Sequence, residues 1–327
     1  MNYKGKKVFV TGAGGFIGSH LTEKLVEAGA QVKALVHYRS DGSEGWLARS
    51  PFRLEMEVFK GDIRDSESMA KYIKNVDVVF HLAALIGIPY SYEAPESYVS
   101  TNVTGTLNIL QAVRRNEGTR MVHTSTSEVY GTALYVPIDE KHPLQGQSPY
   151  SATKIAADKL AESFYLSFNT PVVTIRPFNT FGPRQSMRAV IPTIINQVLK
   201  GKEITLGNLT PTRDLNYVGN TVEGFMRAGL NSQVIGKTIN LGSDREISIG
   251  DLAKLIAKQM NLSLVIKKDL KRIRPVKSEV ERLWASNKLA KKLLKWAPQT
   301  SLEDGLFKTI QWMDENQQYY KANVYAV

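Results

Sequence analysis

Short apolar runs alternate with helical patterns over the first half of the chain. Residues 7–11, 31–36 and 58–60 are rich in β-branched and aromatic side chains, which is typical of strands. Apolar residues recur at helical spacing over 16–28 and 97–116. Strands that alternate with helices predict an α/β fold, a doubly wound parallel sheet of the Rossmann type.

The same alternation continues to about residue 176 and then breaks down. After Pro177 the strands and helices no longer follow one another regularly. The remaining patterns predict strands at 76–82, 120–125, 171–176 and 237–241, and helices at 148–168, 221–229, 248–260, 287–294 and 301–316.

A glycine-rich turn joins the first predicted strand to the first predicted helix. Gly12, Gly15 and Gly18 follow a G-x-x-G-x-x-G spacing, and Phe16 and Ile17 open the helix. Glycines at these positions permit a tight turn and a close approach of the backbone to a pyrophosphate, whose charge then faces the helix N-terminus. The turn predicts a dinucleotide site, with an ordinary glycine-rich turn as the alternative.

The end of the second strand bears on the phosphate of the cofactor. A carboxylate there would hydrogen-bond the ribose 2′-hydroxyl of NAD, but this chain has Arg39 and Ser40 instead. A cation and a hydroxyl suit a 2′-phosphate, so NADP is favoured narrowly over NAD. The alternative is that Arg39 is simply a loop cation.

Later strand ends add further predicted cofactor contacts. A carboxylate after the third strand can approach an adenine amino group, and small residues after the fourth strand let a ribose lie against the backbone. The predicted contacts at these strand ends are Asp62, Ile63, Leu82, Ala83, Ala84 and Pro177.

A tyrosine and a lysine four residues apart lie on one face of the predicted helix at 148–168. The ammonium of Lys154 is expected to lower the pKa of the Tyr150 phenol and make it a base for a sugar hydroxyl. Thr126, after the fifth strand, can hold that hydroxyl, and Glu128 adds a second base. Such a pair alone is more often a surface contact, but its position after the glycine turn favours catalysis.

The end of the regular alternation marks the expected domain boundary. We expect residues 1–176 to form the dinucleotide-binding domain, with 215–245 returning to it. Residues 177–214 and 246–327 would form a smaller α/β domain for a nucleotide-linked sugar. Cations there suit a diphosphate. The predicted substrate-binding residues are Asn179, Arg184, Arg213 and Arg274.

Composition narrows the class of protein. The chain has 327 residues, a net charge of +11 and no cysteine, which excludes disulfides, thiol catalysis and zinc sites built on cysteine. Its basic residues are dispersed and no nucleic-acid-binding motif accompanies them, so a basic surface for sugar nucleotides is the preferred interpretation. No apolar segment approaches the ~20 residues of a membrane span. We expect a soluble cytoplasmic protein without metal, nucleic-acid or membrane partners.

Four motifs together resemble the extended short-chain dehydrogenase/reductase superfamily. They lie at residues 11–18 (TGAGGFIG), 81–84 (HLAA), 150–154 (YSATK) and 176–179 (RPFN), and the resemblance covers essentially the whole chain. It implies a Rossmann-like domain, a smaller C-terminal sugar-nucleotide domain and a homodimer built on a four-helix bundle.

Within this superfamily, residues 125–131 (STSEVYG) resemble the nucleotide-sugar 4,6-dehydratases, especially the GDP-mannose type, and also the UDP-glucuronate decarboxylases. Residues 98–110 and 272–283 (RIRPVKSEVERL) are most similar to dehydratases of N-acetylglucosamine nucleotides in legionaminic acid-type pathways.

The resemblance also implies roles for individual residues. Thr126, Tyr150 and Lys154 occupy the catalytic triad positions, and Glu128 matches the base. Arg213 and Arg274 match the diphosphate clamp. Ser127 stands where dTDP-glucose dehydratases carry an aspartate, so the acid that protonates the leaving group stays open between Glu128 and Ser127.

The predicted reaction is 4,6-dehydration of a nucleotide sugar, with an N-acetylglucosamine nucleotide as one candidate substrate. The cofactor, NAD(P), would stay tightly bound, taking a hydride from C4 and returning it to C6. UDP-glucuronate decarboxylation and 4-epimerisation are the alternatives, although an epimerase would leave Glu128 without a task. A dinucleotide-sensing module without activity would be expected to lack Tyr150 or Lys154, and both are present.

Overall fold

The computed structural model describes residues 1–269 and 275–320. A seven-stranded sheet with helices on its two faces dominates it, which confirms the predicted Rossmann-like α/β fold. The strands of the whole structure, in the large sheet and in three two-stranded sheets, are β1 (Lys7–Thr11), β2 (Gln31–His37), β3 (Met56–Gly61), β4 (Val78–His81), β5 (Arg120–Thr124), β6 (Val172–Pro177), β7 (Thr180–Phe181), β8 (Glu203–Leu206), β9 (Thr212–Arg213), β10 (Asn216–Tyr217), β11 (Thr238–Leu241), β12 (Ile247–Ser248) and β13 (Val265–Lys268). Its helices are α1 (Phe16–Glu27), α2 (Ser66–Ile73), α3 (Ile88–Glu93), α4 (Pro95–Tyr98), α5 (Gly105–Arg114), α6 (Pro149–Phe168), α7 (Val190–Val198), α8 (Val218–Leu230), α9 (Ile249–Gln259) and α10 (Leu302–Glu315).

The strand order of the large sheet places a crevice beside its centre. The order is β11-β6-β5-β4-β1-β2-β3, and every neighbouring pair is parallel. The order reverses between β1 and β4, where Thr11 is level with His81. In open parallel sheets, ligands bind at the carboxyl ends of strands at such a reversal.

Two hydrophobic cores cover the faces of this sheet. The first contains apolar residues of β1, α1 and α8, including Val10, Leu21 and Phe225. The second joins α2, α5 and α6 to the opposite face. The elements α8 and β11 come after the predicted domain boundary in the sequence, but both belong to the first core. Ile239 of β11 pairs with Ile175 of β6.

A third core is built by the C-terminal helices α7, α9 and α10. It is completed by the parallel pair β8 and β13 and contains Ile194, Ile256 and Leu306. In the sequence, Asn179 lies between β6 and β7, and Arg213 is the last residue of β9. No helix in the described ranges is long and apolar enough to cross a membrane.

Two predicted helices differ in detail from those observed. The predicted helix at 97–116 is α4 and α5 joined by a π-helical segment, Val99–Thr104. The helix predicted at 287–294 is reduced to a π-helical segment, Ala290–Leu294, which ends at Lys295 in a left-handed conformation.

An aromatic cluster connects the segment after β2 to α10. The ring of Trp46 meets those of Trp312 and Tyr319 edge-on, at centroid distances of 5.4 and 5.6 Å. The guanidinium of Arg49 lies 4.1 Å from the Tyr319 ring centroid. The backbone N–H of Trp46 also donates to the carbonyl oxygen of Gly14, 3.0 Å away. The cluster therefore links the glycine turn to the C-terminal helix.

Trp46→Ala is expected to lower the free energy of unfolding by about 1–3 kcal/mol, since it removes two aromatic contacts and half-buried apolar area. Chemical denaturation measures this change. Leu54→Ala is the matched control, because Leu54 is 97% exposed and its truncation should be close to neutral. Equal effects of the two substitutions would contradict a stabilising role of the cluster.

Candidate active site

The connection from β1 to α1 requires glycine at two positions, Gly12 in the turn and Gly18 in the first turn of α1. Gly12 has a φ of +69°, and a Cβ on it would lie 2.9 Å from the backbone nitrogen of Ala83. A Cβ on Gly18 would lie 2.1 Å from the carbonyl oxygen of Gly12. Gly15 caps α1 without a side-chain hydrogen bond, and the first turn carries no acidic residue. The turn thus fits a pyrophosphate held by backbone N–H groups.

A buried chain of hydrogen bonds fixes the backbone facing this turn. The hydroxyl of Thr11 accepts from the N–H groups of Leu82 and Ala83, both at 3.1 Å. It also contacts Nδ1 of His81 at 2.9 Å, while Nε2 of His81 contacts the Thr106 hydroxyl at 3.0 Å. Burial lowers the pKa of His81 well below its usual value, so its imidazole is neutral and structural.

The residues predicted to bind the 2′-phosphate and the adenine of the cofactor lie in the loops after β2 and β3. Ser40 is exposed, and Arg39 forms an exposed ion pair with Asp41 at 3.3 Å. Asp62 pairs with Arg64 at 2.6 Å, and the hydrogen bonds from Arg64 lower its pKa. The carboxylate predicted to approach adenine is therefore engaged by a neighbouring guanidinium.

Other predicted cofactor contacts lie deeper in the molecule. The side chain of Ile63 is buried against Gly105 of α5, so only its backbone faces outward. Phe16 and Ile17 are partly buried and pack against the first core. Leu82, Ala83 and Ala84 follow β4 directly, and Pro177 is the last residue of β6, so all four lie at the carboxyl ends of strands.

The segment after β5 carries the predicted catalytic hydroxyl and carboxylate. The side chain of Thr126 caps a 3-10 helix, Ser127–Tyr130, by accepting from the N–H of Glu128 at 3.2 Å. Ser127 and Glu128 are both buried. A polar cap followed by a short turn thus turns two functional side chains inward at the carboxyl end of a strand.

The predicted Tyr–Lys pair lies in the first turns of α6. Ser148 caps this helix in a capping box with Ser151, which explains why the helix begins just before Tyr150. The ammonium of Lys154 donates to the carbonyl oxygen of Thr124, 2.7 Å away at the end of β5. The strand and the helix that carry the catalytic side chains are therefore joined directly.

The ionisation of the pair differs from the sequence-based expectation. Burial raises the pKa of Tyr150 far above its usual value, a hydrogen bond with the Thr126 side chain lowers it, and the Glu128 charge raises it further. Burial lowers the pKa of Lys154 to about 8, and Asp158 opposes that shift. The expected net lowering of the pKa of Tyr150 is therefore wrong for the protein without its cofactor, because burial outweighs the favourable influences.

These influences show which side chains meet. The phenol of Tyr150 forms a hydrogen bond with the Thr126 side chain, and the charge of the Glu128 carboxylate raises the pKa of that phenol. A phenol and a carboxylate in the same site can take protons from two neighbouring positions of one substrate. No group of three or more potential metal ligands occurs in residues 1–269 and 275–320.

The predicted substrate-binding residues occupy different surroundings. The amide oxygen of Asn179 is buried and accepts no hydrogen bond from the residues described by the structure. Arg213 is buried beside Glu279, 3.3 Å away. Arg184 has a φ of +71° and pairs with Glu23 of α1 at 3.1 Å. Arg274 lies outside the described residues.

Comparison with known proteins identifies the family of this chain. The family model described as "GDP-mannose 4,6 dehydratase" matches residues 9–309. The chain therefore belongs to that family, among the NAD-dependent epimerases and dehydratases of nucleotide sugars.

Relatives with three different activities have similar identity to the chain. The Bacillus subtilis (strain 168) protein named "Uncharacterized UDP-glucose epimerase YtcB" is 30% identical and covers 94% of this chain and 98% of its own. UDP-glucuronic acid decarboxylase 1 of Xenopus tropicalis is 31% identical and covers 98% and 75%. The structure of DesIV, a dTDP-glucose 4,6-dehydratase of Streptomyces venezuelae with NAD and TYD bound, has a TM-score of 0.86 at 27% identity and covers 96% and 99%. The class is an enzyme of nucleotide sugars, and the choice of reaction depends on the side chains at the site.

Proposed function

We propose that this chain is a nucleotide-sugar 4,6-dehydratase. It converts an NDP-hexose, with NDP-N-acetylglucosamine as one candidate, to the NDP-4-keto-6-deoxy sugar. The buried carboxylate of Glu128 beside Tyr150 and Thr126 carries the proposal, because dehydration needs a second base and 4-epimerisation does not. UDP-glucuronate decarboxylation and 4-epimerisation are the rival reactions.

The first step is oxidation at C4 of the sugar. Tyr150 removes the proton of the C4 hydroxyl, and the Thr126 hydroxyl orients that group through its hydrogen bond with the phenol. A bound nicotinamide dinucleotide would accept the hydride from C4, return it later to C6 and add a positive charge that favours the phenolate. Lys154 contributes a second positive charge one helical turn along α6.

The second step is elimination of water. The C4 ketone acidifies the hydrogen on C5, and Glu128 removes that proton. The C6–O bond breaks, and the leaving hydroxyl takes the proton from Glu128, directly or through Ser127, to depart as water. When hydride is returned to C6, C5 takes up one proton and the 4-keto-6-deoxy sugar is complete. Both side chains are buried, which limits competition from solvent.

The residues that would hold the cofactor surround the crevice. The glycines Gly12, Gly15 and Gly18 would hold the pyrophosphate, and the loop after β4 would hold the ribose. Arg39 is exposed in the loop after β2, where the sequence predicts a contact to a 2′-phosphate, and its cationic side chain favours NADP. The Streptomyces enzyme holds NAD, so the preference for NADP stays narrow.

Arg39→Ala is expected to weaken NADP binding about 5- to 20-fold, because it removes an exposed charge-assisted contact to the 2′-phosphate. NAD binding should stay within about twofold. Calorimetric titration of cofactor-stripped protein with each dinucleotide measures both. A parallel loss for NAD and NADP, or no loss for either, would remove Arg39 from the cofactor site.

We also propose that two copies associate through α5 and α6 and act in the cytoplasm. One face of α6 carries mostly small or apolar residues at helical spacing. Ala152, Ser163 and Leu166 are exposed, Ala156 is half-buried, and Lys159 lies between them. Small residues let helices of two copies approach closely in a four-helix bundle. Light scattering tests this arrangement. We expect a dimer for the wild type and a monomer for Ala156→Arg.

Mass spectrometry after incubation with UDP-, GDP-, CDP- and dTDP-sugars tests the proposed reaction. The panel must include glucose, mannose, N-acetylglucosamine and glucuronic acid derivatives. Loss of water from one of them is the expected result. Loss of carbon dioxide from a glucuronic acid derivative would establish the decarboxylase, and a C4 epimer of unchanged mass would establish the epimerase.

A further inference from the structure

We infer that Asp158 and Arg176 are positioning residues, which hold the catalytic segment after β5 in register with Lys154 on α6. The inference rests on the proposed first step, proton removal by Tyr150. Neither residue belongs to the glycine turn or to the predicted catalytic set, and the sequence signal that points to Asp158 is its position one helical turn beyond Lys154.

Asp158 is the centre of a buried hydrogen-bond network. Its Oδ1 accepts from Nε2 of His123 at 3.1 Å, and its Oδ2 accepts from the hydroxyl of Ser125 at 2.8 Å. Arg176 of β6 donates to the same Oδ2 from Nε at 3.0 Å and from Nη2 at 2.9 Å. One carboxylate thus connects β5, α6 and β6.

The network anchors both ends of the segment 125–130, which carries the catalytic hydroxyl and carboxylate. Ser125 is the first residue of this segment, and it donates to Asp158. Tyr130 is the last, and its hydroxyl accepts from Nη1 of Arg176 at 2.9 Å. The two fixed ends restrict where the residues between them can lie, and small displacements of reacting groups have large effects on rate.

Asp158 is also the negative charge closest in sequence to the Lys154 ammonium. Burial lowers the pKa of both His81 and His123, so these neighbours of Lys154 are neutral. Burial raises the pKa of Asp158, but the His123 hydrogen bond and the Arg176 charge outweigh it and bring it to about 2, so Asp158 is ionised. The titratable and charged groups around the ammonium are His81, His123, Tyr150, Asp158 and, beyond Asp158, Arg176.

Asp158→Asn is expected to move the alkaline limb of the pH–rate profile to lower pH by about one unit or more. Without the carboxylate, Lys154 loses its proton at a lower pH, so the rate falls earlier as the pH rises. The rate to measure is the transient reduction of the nicotinamide in a single turnover. Dehydratase, decarboxylase and epimerase share this first step, so the readout does not depend on which reaction follows.

A second readout is independent of activity. Magnetic resonance of isotope-labelled lysine, with Lys154→Arg used to assign the signal, follows the ionisation of Lys154 directly. Its midpoint should fall in Asp158→Asn by the same shift as the rate profile. If no nucleotide sugar is turned over by the wild type, this titration still tests the role of Asp158 while the proposed reaction fails.

Three further variants separate positioning from general destabilisation. Asp158→Glu keeps the charge and should restore most of the pH profile. Glu162→Gln removes an exposed charge from the same helix and should leave the profile unchanged. Arg176→Lys keeps its charge but loses the forked contact, and should lower kcat about 10-fold with KM within about twofold. Folded Asp158→Asn protein with wild-type profile and wild-type Lys154 midpoint would overturn the inference.

Discussion

Glu128→Gln is expected to lower the rate of dehydration by at least about 100-fold while leaving the first oxidation active. An amide of the same shape cannot take the proton from C5, so elimination stops at the ketone. The Glu128 charge raises the pKa of Tyr150, and its removal should therefore not slow proton removal by the phenol. The variant should keep its cofactor and accumulate the reduced nicotinamide when a substrate is added.

Stopped-flow absorbance and product mass measure the two steps of this variant separately. Ser127→Ala is the companion substitution, and it should slow only the departure of water if Ser127 relays the proton. A normal dehydration rate in Glu128→Gln would show that another group is the second base. Loss of the oxidation together with dehydration would place Glu128 in the first step.

Tyr150→Phe is expected to abolish both oxidation and dehydration, with a loss of about 100- to 10,000-fold. The ring remains and the substitution preserves packing with Tyr98, 6.3 Å away between centroids, but the proton acceptor is gone. The effect should appear in kcat with little change in nucleotide-sugar affinity, because the phenol acts chiefly in the transition state.

Single-turnover reduction of the nicotinamide and equilibrium binding of the substrate measure these two quantities. Tyr165→Phe is the matched control on the same helix, because Tyr165 is half-buried and lies about four helical turns beyond Tyr150. A Tyr150→Phe enzyme that still reduces its cofactor at nearly the normal rate would contradict the role given to the phenol.

Strands and long helices of the sheet could be predicted from the sequence because their side chains repeat regularly. The first strand, Lys7–Thr11, has the predicted bounds. The helix α6 begins at Pro149, one residue after its predicted start, because Ser148 caps the helix. Caps and alternating burial are local properties, so the residues themselves carry them.

Among the helices that the sequence did not predict, α2 and α7 were missed for identifiable reasons. The helix α2 has eight residues and few apolar side chains, and its start depends on Asp65, whose carboxylate accepts from the N–H groups of Glu67 and Ser68. The helix α7 contains Pro192 as its third residue, which suggests a break. A proline is tolerated in the first turn, because the N–H groups there have no partner within the helix.

Ionisation at the site could not be predicted, because spacing does not reveal burial. Tyr150 and Lys154 stand four residues apart, which indicates a shared helix face and nothing about solvent. Burial dominates the pKa of each group, and it moves the phenol upward and the ammonium downward. The position of Asp158, whose charge opposes the fall in the pKa of Lys154, depends on contacts with β5 and β6 that only the folded chain creates.

Transfer of the C4 hydrogen within one substrate molecule tests the central claim most directly. The substrate is the nucleotide sugar that loses water in the mass-spectrometric panel, labelled with deuterium at C4. The account predicts that the 4-keto-6-deoxy product retains the label, now at C6. Product that has lost the deuterium to solvent, or label that remains at C4 in a product of unchanged mass, would contradict it.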